Sequence, residues 1–413
     1  MERFLQWLEE RGVQVAGSGL SVKLFPESGC GLVADRNFLP GAVVIKVPDD
    51  ILITTKTIVE SSLRCFFEKY SGLFKPFEAL AIWLSFEWMK REASPWFPYI
   101  DILPQALTNP IVFLDFPAES LPSSVQSLFV AQRTEFARFY AKAAAAVDEI
   151  LLKCGGYTEE MEASRSFWDL LCWAWCIVNT RCIYKTGPTH PYFDNSDGDS
   201  LALVPFIDLL NHSSKTKVEA CYSASRNCYE LVCHRALIEG EQLLVSYGPH
   251  SNAKLFVEYG FVLEENANNV LQICIDDLVR LCKQAGVKVD LEHENVLKAA
   301  AFPCCLYEAS DEPSWGLMSS FKLLRMSHDE LKGWKLAIYN CQEDFADDLV
   351  LIRTATSVVA LLHVELSENM RIACSGPIPE NLRATVEQLW TDELNILQQA
   401  MDQLKEMAEA DGD

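Results

Sequence analysis

The sequence predicts an α+β protein: a small strand-rich domain, split by a helical insertion and followed by an all-α C-terminal domain. Three observations carry this. Short apolar runs separated by turn residues fill about 13–60 and return after Gly198. Apolar side chains recur with helical spacing over about 61–185. Helical spacing dominates again from about 265 almost to the C-terminus. A chain of 413 residues is long enough for two to three domains. The boundaries are read as 1–60 for an N-terminal helix and the first strands, 61–185 for the insertion, 186–262 for the second strand-rich part, and 263–413 for the helical domain.

The first element is an amphipathic helix with Phe4, Leu5, Trp7 and Leu8, ended by Gly12. Strands are expected at 21–25, 31–34, 42–47 and 51–54, because Pro26, Gly29, Pro40-Gly41 and Asp49-Asp50 divide the apolar runs. In the insertion, Phe77, Leu80, Ala81, Trp83, Leu84 and Trp88 keep a helical period, as do Val125, Leu128, Phe129, Phe136, Tyr140, Val147 and Leu151. Residues 96–104 hold too many prolines for a helix interior. Strands return at 201–205, as a hairpin at 218–222 and 228–233, and at 243–246 after the turn Gly240-Glu241. Val386, Leu389, Trp390, Leu394, Leu397, Met401 and Leu404 form the last stripe. The acidic residues 406–413 after it are expected to fray.

Composition excludes several classes. Hydrophobic residues at 49% and charged residues at 23% fit a folded globular chain, not a disordered one. No secretory signal is read in the first residues. The longest apolar stretch considered, Leu170 to Thr180, stops at Arg181, well short of the ~20 residues that span a bilayer. Fifteen cysteines without a secretory segment point to reduced thiols in the cytoplasm or nucleus. A net charge of −23 argues against direct binding to nucleic acid or anionic membranes and leaves room for a basic partner.

Five features could carry chemistry. Gly29-Cys30-Gly31-Leu32 lies between strand patterns, where two glycines form a turn or let a ligand approach the backbone. It is no dinucleotide fingerprint, since the third glycine and the following helix are missing. Asp208-Leu209-Leu210-Asn211-His212 follows an apolar run, so its polar side chains arrive deep in the fold and need partners. They read either as a satisfied core pair ending a short helix or as part of a site. Tyr247, between Ser246 and Gly248, closes a strand and can aim its hydroxyl into a cleft or cap the core. Ser251 is a plausible N-cap for the helix leading to Tyr259-Gly260-Phe261. Arg181 ends an apolar stretch, where its guanidinium needs a carboxylate. Cys221, Cys228 and Cys233 alternate along a hairpin without metal-ligand spacing, and Cys304-Cys305 follow Pro303 in a helical region, so no metal is expected.

Taken in chain order, Gly29-Cys30-Gly31-Leu32, Arg181, Asp208-x-x-Asn211-His212, Tyr247-Gly248 and Tyr259-Gly260-Phe261 resemble the motifs of the SET-domain protein methyltransferases. The likeness is greatest to the subgroup typified by the plant Rubisco large-subunit lysine methyltransferase. Trp96-Phe97-Pro98-Tyr99 and the residues up to Pro104 look like a segment of that subgroup, and the likeness covers nearly the whole chain. It implies the SET fold: small β-sheets with a pseudoknot that threads the segment ending in Tyr247 near the Asn-His segment. It implies S-adenosylmethionine as cofactor, S-adenosylhomocysteine as product, and methyl transfer to a lysine of a histone or other protein.

By the same resemblance, Ser28, Gly29, Cys30 and Gly31 line the cofactor pocket, with Ser28 where the family often has an acid. Arg181 stands near the cofactor carboxylate, and Asn211 and His212 bind its amino end and adenine. Asp208 supports the pocket, Tyr247 is catalytic, and Tyr259 is a second pocket residue. A related branch that methylates a histidine carries Asn two residues after the arginine and Trp before the acid. Here Ile183 and Ile207 occupy those places, and an apolar channel suits a lysine stem. The zinc-bound lid of other SET enzymes has no counterpart, so the C-terminal helices must complete the channel. The expected partner is a protein with an accessible lysine in a basic segment such as a histone tail, approached by a monomer. The alternatives are a catalytically silent SET-fold binding protein and a histidine methyltransferase.

Overall fold

A computed structural model describes residues 1–146, 166–185, 187, 190–196, 198, 201–339 and 348–410. Val147 and Leu151, placed on a helix by periodicity, and residues 411–413 of the acidic tail lie outside them. The chain forms two compact units, Met1–Val112 with Gln132–Pro249, and Phe113–Ala131 with His250–Asp413.

In the first unit, helix α1 (Glu2–Glu9) buries Phe4, Trp7 and Leu8, and the Trp7 indole donates to the Pro95 carbonyl at 2.8 Å. Strands β1 (Leu20–Phe25) and β2 (Gly29–Ala34) form a hairpin in register from Leu20↔Ala34 to Phe25↔Gly29. Gly29 takes φ +74°, a conformation that costs glycine no Cβ strain. Strand β3 (Val43–Pro48) follows. The strand expected at 51–54 does not form. Asp49–Ile51 is a 3₁₀ turn, Ile53 makes a single bridge to Leu203, and the Thr54 side chain caps a helix by accepting the Lys56 N–H. The cap and the acidic turn satisfy the local backbone, leaving no run of free groups for a ladder.

Helices α2 (Pro76–Lys90) and α5 (Phe167–Arg181) pack together and are buried on nearly all faces, which is why both are apolar all round. Between them come α3 (Phe97–Ile100), one turn with Pro98 at its start where a missing N–H costs nothing, and α4 (Ser123–Ala144), which runs from one unit into the other. After α5 the chain forms β4 (Cys182–Tyr184), paired with β5 (Leu201–Leu203). Then come β6 (Asn211–His212), the hairpin β7 (Val218–Ser223) and β8 (Cys228–Cys233), and β9 (Gln242–Val245). One sheet has the order β1-β2-β9-β6 and another β3-β8-β7. Strand β6 runs parallel to β9, pairing Asn211 with Leu244 and His212 with Val245.

The second unit holds the pair β10 (Val270–Gln272) and β11 (Cys305–Tyr307). Cys305 therefore lies on a strand, not in the helical context expected after Pro303, because Ala301 adopts φ +49° and ends the preceding helix. Helices α6 (Ile275–Gln284), α7 (Leu291–Ala300), α8 (Trp315–Arg325), α9 (His328–Leu331), α10 (Leu349–Cys374) and α11 (Glu380–Ala410) make up most of the rest. Helix α10, with a hydropathy of 1.7, is long and apolar enough to cross a membrane, a feature the sequence reading passed over. Here Leu351, Ile352, Ala355, Val358 and Val359 are fully buried, and the helix packs against α6, α8 and α11.

The unit begins at His250, whereas the sequence boundary was read at 262/263. Buried Asn252 explains the difference: its side chain donates to Asp392 at 2.7 Å and to the Leu263 carbonyl at 2.8 Å, and its backbone N–H donates to Asn269 Oδ1 at 2.8 Å. Residues 113–131 also leave the insertion for this unit, where the Trp390 indole donates to the Ser120 carbonyl at 2.8 Å.

Candidate active site

The site is built where β9 lies between β2 and β6. Its first layer is backbone. Phe206 turns the chain out of β5 with φ +79° and ψ −48°, a strained conformation for a side chain held at 0% exposure. A 3₁₀ turn, Ile207–Leu209, follows, and Asn211 and His212 then enter β6. The Asn-His pair thus sits on a short parallel strand after a 3₁₀ turn and does not end a helix.

Asp208 is the anchor. Its side chain is 1% exposed. One oxygen accepts the Tyr99 hydroxyl at 2.8 Å and lies 3.4 Å from Arg181, whose guanidinium also donates to the Asp208 carbonyl at 2.6 Å. The other oxygen, Oδ1, is buried without a partner among the described residues. Burial pushes the Asp208 carboxyl above its ordinary range, while Arg181 and Tyr99 pull it down. The Tyr99 hydroxyl is held well above its usual range by burial and by the Asp208 charge, and Cys182 is raised for the same two reasons.

Asn211 donates from Nδ2 to the Ser28 hydroxyl at 3.1 Å and to the Cys30 carbonyl at 3.3 Å. This brings the Gly-x-Gly hairpin, β6 and the first residues of β2 together across 180 positions of sequence. A larger residue at Gly31 would have to push aside the side chains packed over it. A Cβ would stand 2.6 Å from Gln242 Nε2 and 2.8 Å from Asn211 Nδ2. Gln242 Nε2 is itself buried without a partner among the described residues. Tyr247, two residues beyond β9, is fixed at three points: its N–H donates to His212 Nδ1 at 3.0 Å, its hydroxyl donates to the Leu210 carbonyl at 2.7 Å, and its ring lies 5.1 Å from the His212 ring. His212 Nδ1 therefore acts as an acceptor, which puts the imidazole hydrogen of its neutral form on Nε2.

Ser28, Gly29, Cys30, Gly31, Arg181, Asp208, Asn211, His212 and Tyr247 thus all belong to the first unit, linked by the contacts above. Ile183 is half-buried on β4 opposite Ala202, and Ile207 is 3% exposed in the core. Tyr259 belongs to the second unit, where a π-helical turn, Leu255–Tyr259, carries it and the His250 ring stacks on it at 6.0 Å. Sequence reasoning missed the roles of Tyr99 and Gln242. Tyr99 stood inside the quoted Trp-x-Pro-Tyr segment, so its hydroxyl could have been weighed; nothing in the local sequence of Gln242 marks it.

The residues fit S-adenosylmethionine. A glycine cradle, an orphaned amide and an orphaned carboxylate oxygen are unsatisfied features that suit a bound polar molecule with donors and acceptors. The SET domain family matches residues 29–248. The chain is 28% identical to the human "SET domain-containing protein 4", over 98% of this chain and 91% of that protein. It is 30% identical to the mouse protein of the same name, over 80% of this chain and 73% of that protein. A solved structure of Rubisco LSMT bound to AdoMet has the same fold, with a TM-score of 0.64 at 20% identity, covering 99% of this chain and 92% of that one. The matched span holds β2, β6 and β9, and the chain belongs to the SET domain family.

Proposed function

We propose that this protein is an S-adenosylmethionine-dependent protein methyltransferase whose target is a lysine side chain. The observation that carries this is Tyr247, whose hydroxyl donates to the Leu210 carbonyl and whose backbone N–H donates to His212 Nδ1, in the same unit as Gly31 and Asn211. Relatives named for such activity include the ribosomal lysine N-methyltransferase of Schizosaccharomyces pombe, at 29% identity. Another relative is named actin-histidine N-methyltransferase, at 27% identity in Drosophila melanogaster. Ile183 and Ile207 favour lysine, because a flexible aliphatic stem needs apolar walls and an imidazole needs a polar one.

When bound, the cofactor supplies a methyl group on a positively charged sulfur. The chain's own residues do the positioning. Ser28, Cys30 and the Asn211 amide offer acceptors and donors to its polar end, Arg181 stands ready for its carboxylate, and His212 contributes through its strand. Tyr247 orients the incoming amine through its hydroxyl oxygen. That amine must be neutral to attack, although free lysine has a pKa of about 10.4; a dry approach and a nearby positive charge both disfavour its protonated form. The substrate is a protein carrying a lysine in a basic segment, a histone tail being one such segment, and the working compartment is cytoplasm or nucleus.

The test is calorimetry of the full chain with S-adenosylmethionine, then radiolabel transfer to a cell extract, with Tyr247→Phe in parallel. We expect one equivalent of cofactor, label on protein, and a variant that binds cofactor within a factor of about two while turning over at least about 100-fold more slowly. Peptide mass spectrometry of the labelled protein should place the methyl on lysine. A methyl on histidine would move the target, and cofactor binding without any transfer would favour the silent binding protein.

A further inference from the structure

Outside the methyl-transfer site, Asp290, His293 and His328 converge in the second unit. Asp290 caps helix α7, accepting the backbone N–H groups of Glu292 at 3.0 Å and His293 at 3.3 Å. Its carboxylate meets His293 Nδ1 at 2.8 Å through one oxygen and His328 Nε2 at 2.6 Å through the other. One atom from each residue lies within 4.8 Å of the others.

Both imidazoles are backed from behind. His293 is only 6% exposed, and its Nε2 lies 2.8 Å from the Met326 carbonyl. A carbonyl can only accept, so Nε2 holds the hydrogen, and in a neutral ring Nδ1 is then a bare lone pair. That lone pair accepts the Asp290 backbone N–H at 3.5 Å and otherwise faces a carboxylate oxygen, a second acceptor. At 2.8 Å the two atoms stand at hydrogen-bonding distance, so an ion enters only by moving them apart. His328 presents Nε2 to Asp290 while Glu292 Oε2 stands 3.7 Å from its Nδ1. A backbone carbonyl behind the His293 ring is the support that metal-ligating histidines receive in proteins, whereas Glu292, at 3.7 Å from His328, contributes charge without a hydrogen bond.

We propose that Asp290, His293 and His328 form a binding site for a divalent transition-metal ion of the zinc class, which clips the start of α7 to the start of α9. Two imidazoles and a carboxylate are a ligand set that Zn²⁺ accepts, at about 2.0–2.2 Å from each donor, with water completing four-coordination. His293 is the fixed ligand. Asp290 and His328 are about half exposed, so their side chains can rotate to open the two short contacts and close around an ion. The sequence reading, which expected no metal, looked for cysteine spacing; this site uses none, and its third ligand comes 35 positions after the second.

The experiment is titration of the chelator-stripped full chain with Co²⁺, followed by absorption spectroscopy and by thermal melting. The exposed thiols Cys65, Cys221 and Cys274 compete for soft metals, and Co²⁺ separates them because thiolate ligation adds an intense charge-transfer band that nitrogen and oxygen donors lack. We expect one equivalent bound with a nitrogen/oxygen spectrum, displacement of Co²⁺ by Zn²⁺, and a raised Tm. His328→Ala and Asp290→Asn should each weaken binding by at least about 100-fold and abolish the Tm rise. His328 is the informative position, because its exposed ring can be removed without opening the core. A spectrum dominated by thiolate ligation, binding that survives both substitutions, or no stoichiometric uptake would overturn the site.

Discussion

At the scale of single residues, the Arg181–Asp208–Tyr99 group ties the candidate site to the core. The sequence reading assigned Arg181 to the cofactor; in the structure it also holds a carboxylate whose side chain is 1% exposed. Removing the guanidinium leaves that carboxylate with the Tyr99 hydroxyl alone. Loss of one partner from a buried pair costs about 3–5 kcal/mol, most of it the burden of the charge left behind. Arg181→Ala should therefore lower stability by about 3 kcal/mol or more, and should weaken S-adenosylmethionine binding by about tenfold or more in the folded fraction. Adding Asp208→Asn should recover part of the stability, since the amide brings no charge to bury. Urea denaturation of the wild type and the two variants checks this. A double variant no more stable than Arg181→Ala would show that the buried charge is not the source of the loss.

At the scale of one element, helix α11 carries two adjacent buried acids. Asp392 accepts from Asn252 and Gln388, and Glu393 accepts from the Ser124 hydroxyl at 2.5 Å. Burial, with the Asp392 charge adding to it, raises the Glu393 carboxyl from 4.5 to about 7, and the Ser124 hydrogen bond only partly opposes this. In the unfolded chain Glu393 titrates near its ordinary value. Between about 4.5 and 7 the folded state therefore holds a proton that the unfolded state has lost, so stability falls as pH rises through that window. The full difference corresponds to about 3 kcal/mol. Glu393→Gln should flatten this part of the stability–pH curve and leave the protein more stable than wild type at pH 8. Matched denaturant titrations at pH 5, 6, 7 and 8 would show it. Parallel curves for the two proteins would place the titration elsewhere.

At the scale of the whole molecule the charge of −23 matters most. On the proposed function, a target lysine in a basic segment would approach through this field, and acidic surfaces speed the encounter with basic chains. Screening shortens to about 8 Å at physiological ionic strength and about 3 Å at 1 M. On one confirmed substrate, kcat/KM should fall steeply with added salt through slower association, while kcat at saturation changes little. A flat kcat/KM would mean that the charge serves solubility and takes no part in choosing the substrate.

The local pattern alone was enough for the helices α2, α4 and α11, for both main hairpins, and for the family likeness in Gly29–Leu32, Asp208–His212 and Tyr247. Those features depend on spacing within a few residues, where periodicity and turn chemistry act directly. Residues 51–54 failed because side-chain capping by Thr54 competed successfully with a strand whose apolar pattern was only four residues long. The closing of the site was decided by tertiary structure. Parallel pairing of β6 with β9 sets Asn211 and His212 beside the strand that leads to Tyr247, and the hairpin turn meets Asn211 from far away in sequence. Tyr99 reaches Asp208 across 109 positions, and His328 reaches Asp290 across 38. Such contacts leave no periodic trace, because each depends on where separate elements stop and how they pack, and a one-residue change in the register of a strand would turn its side chains to the opposite face.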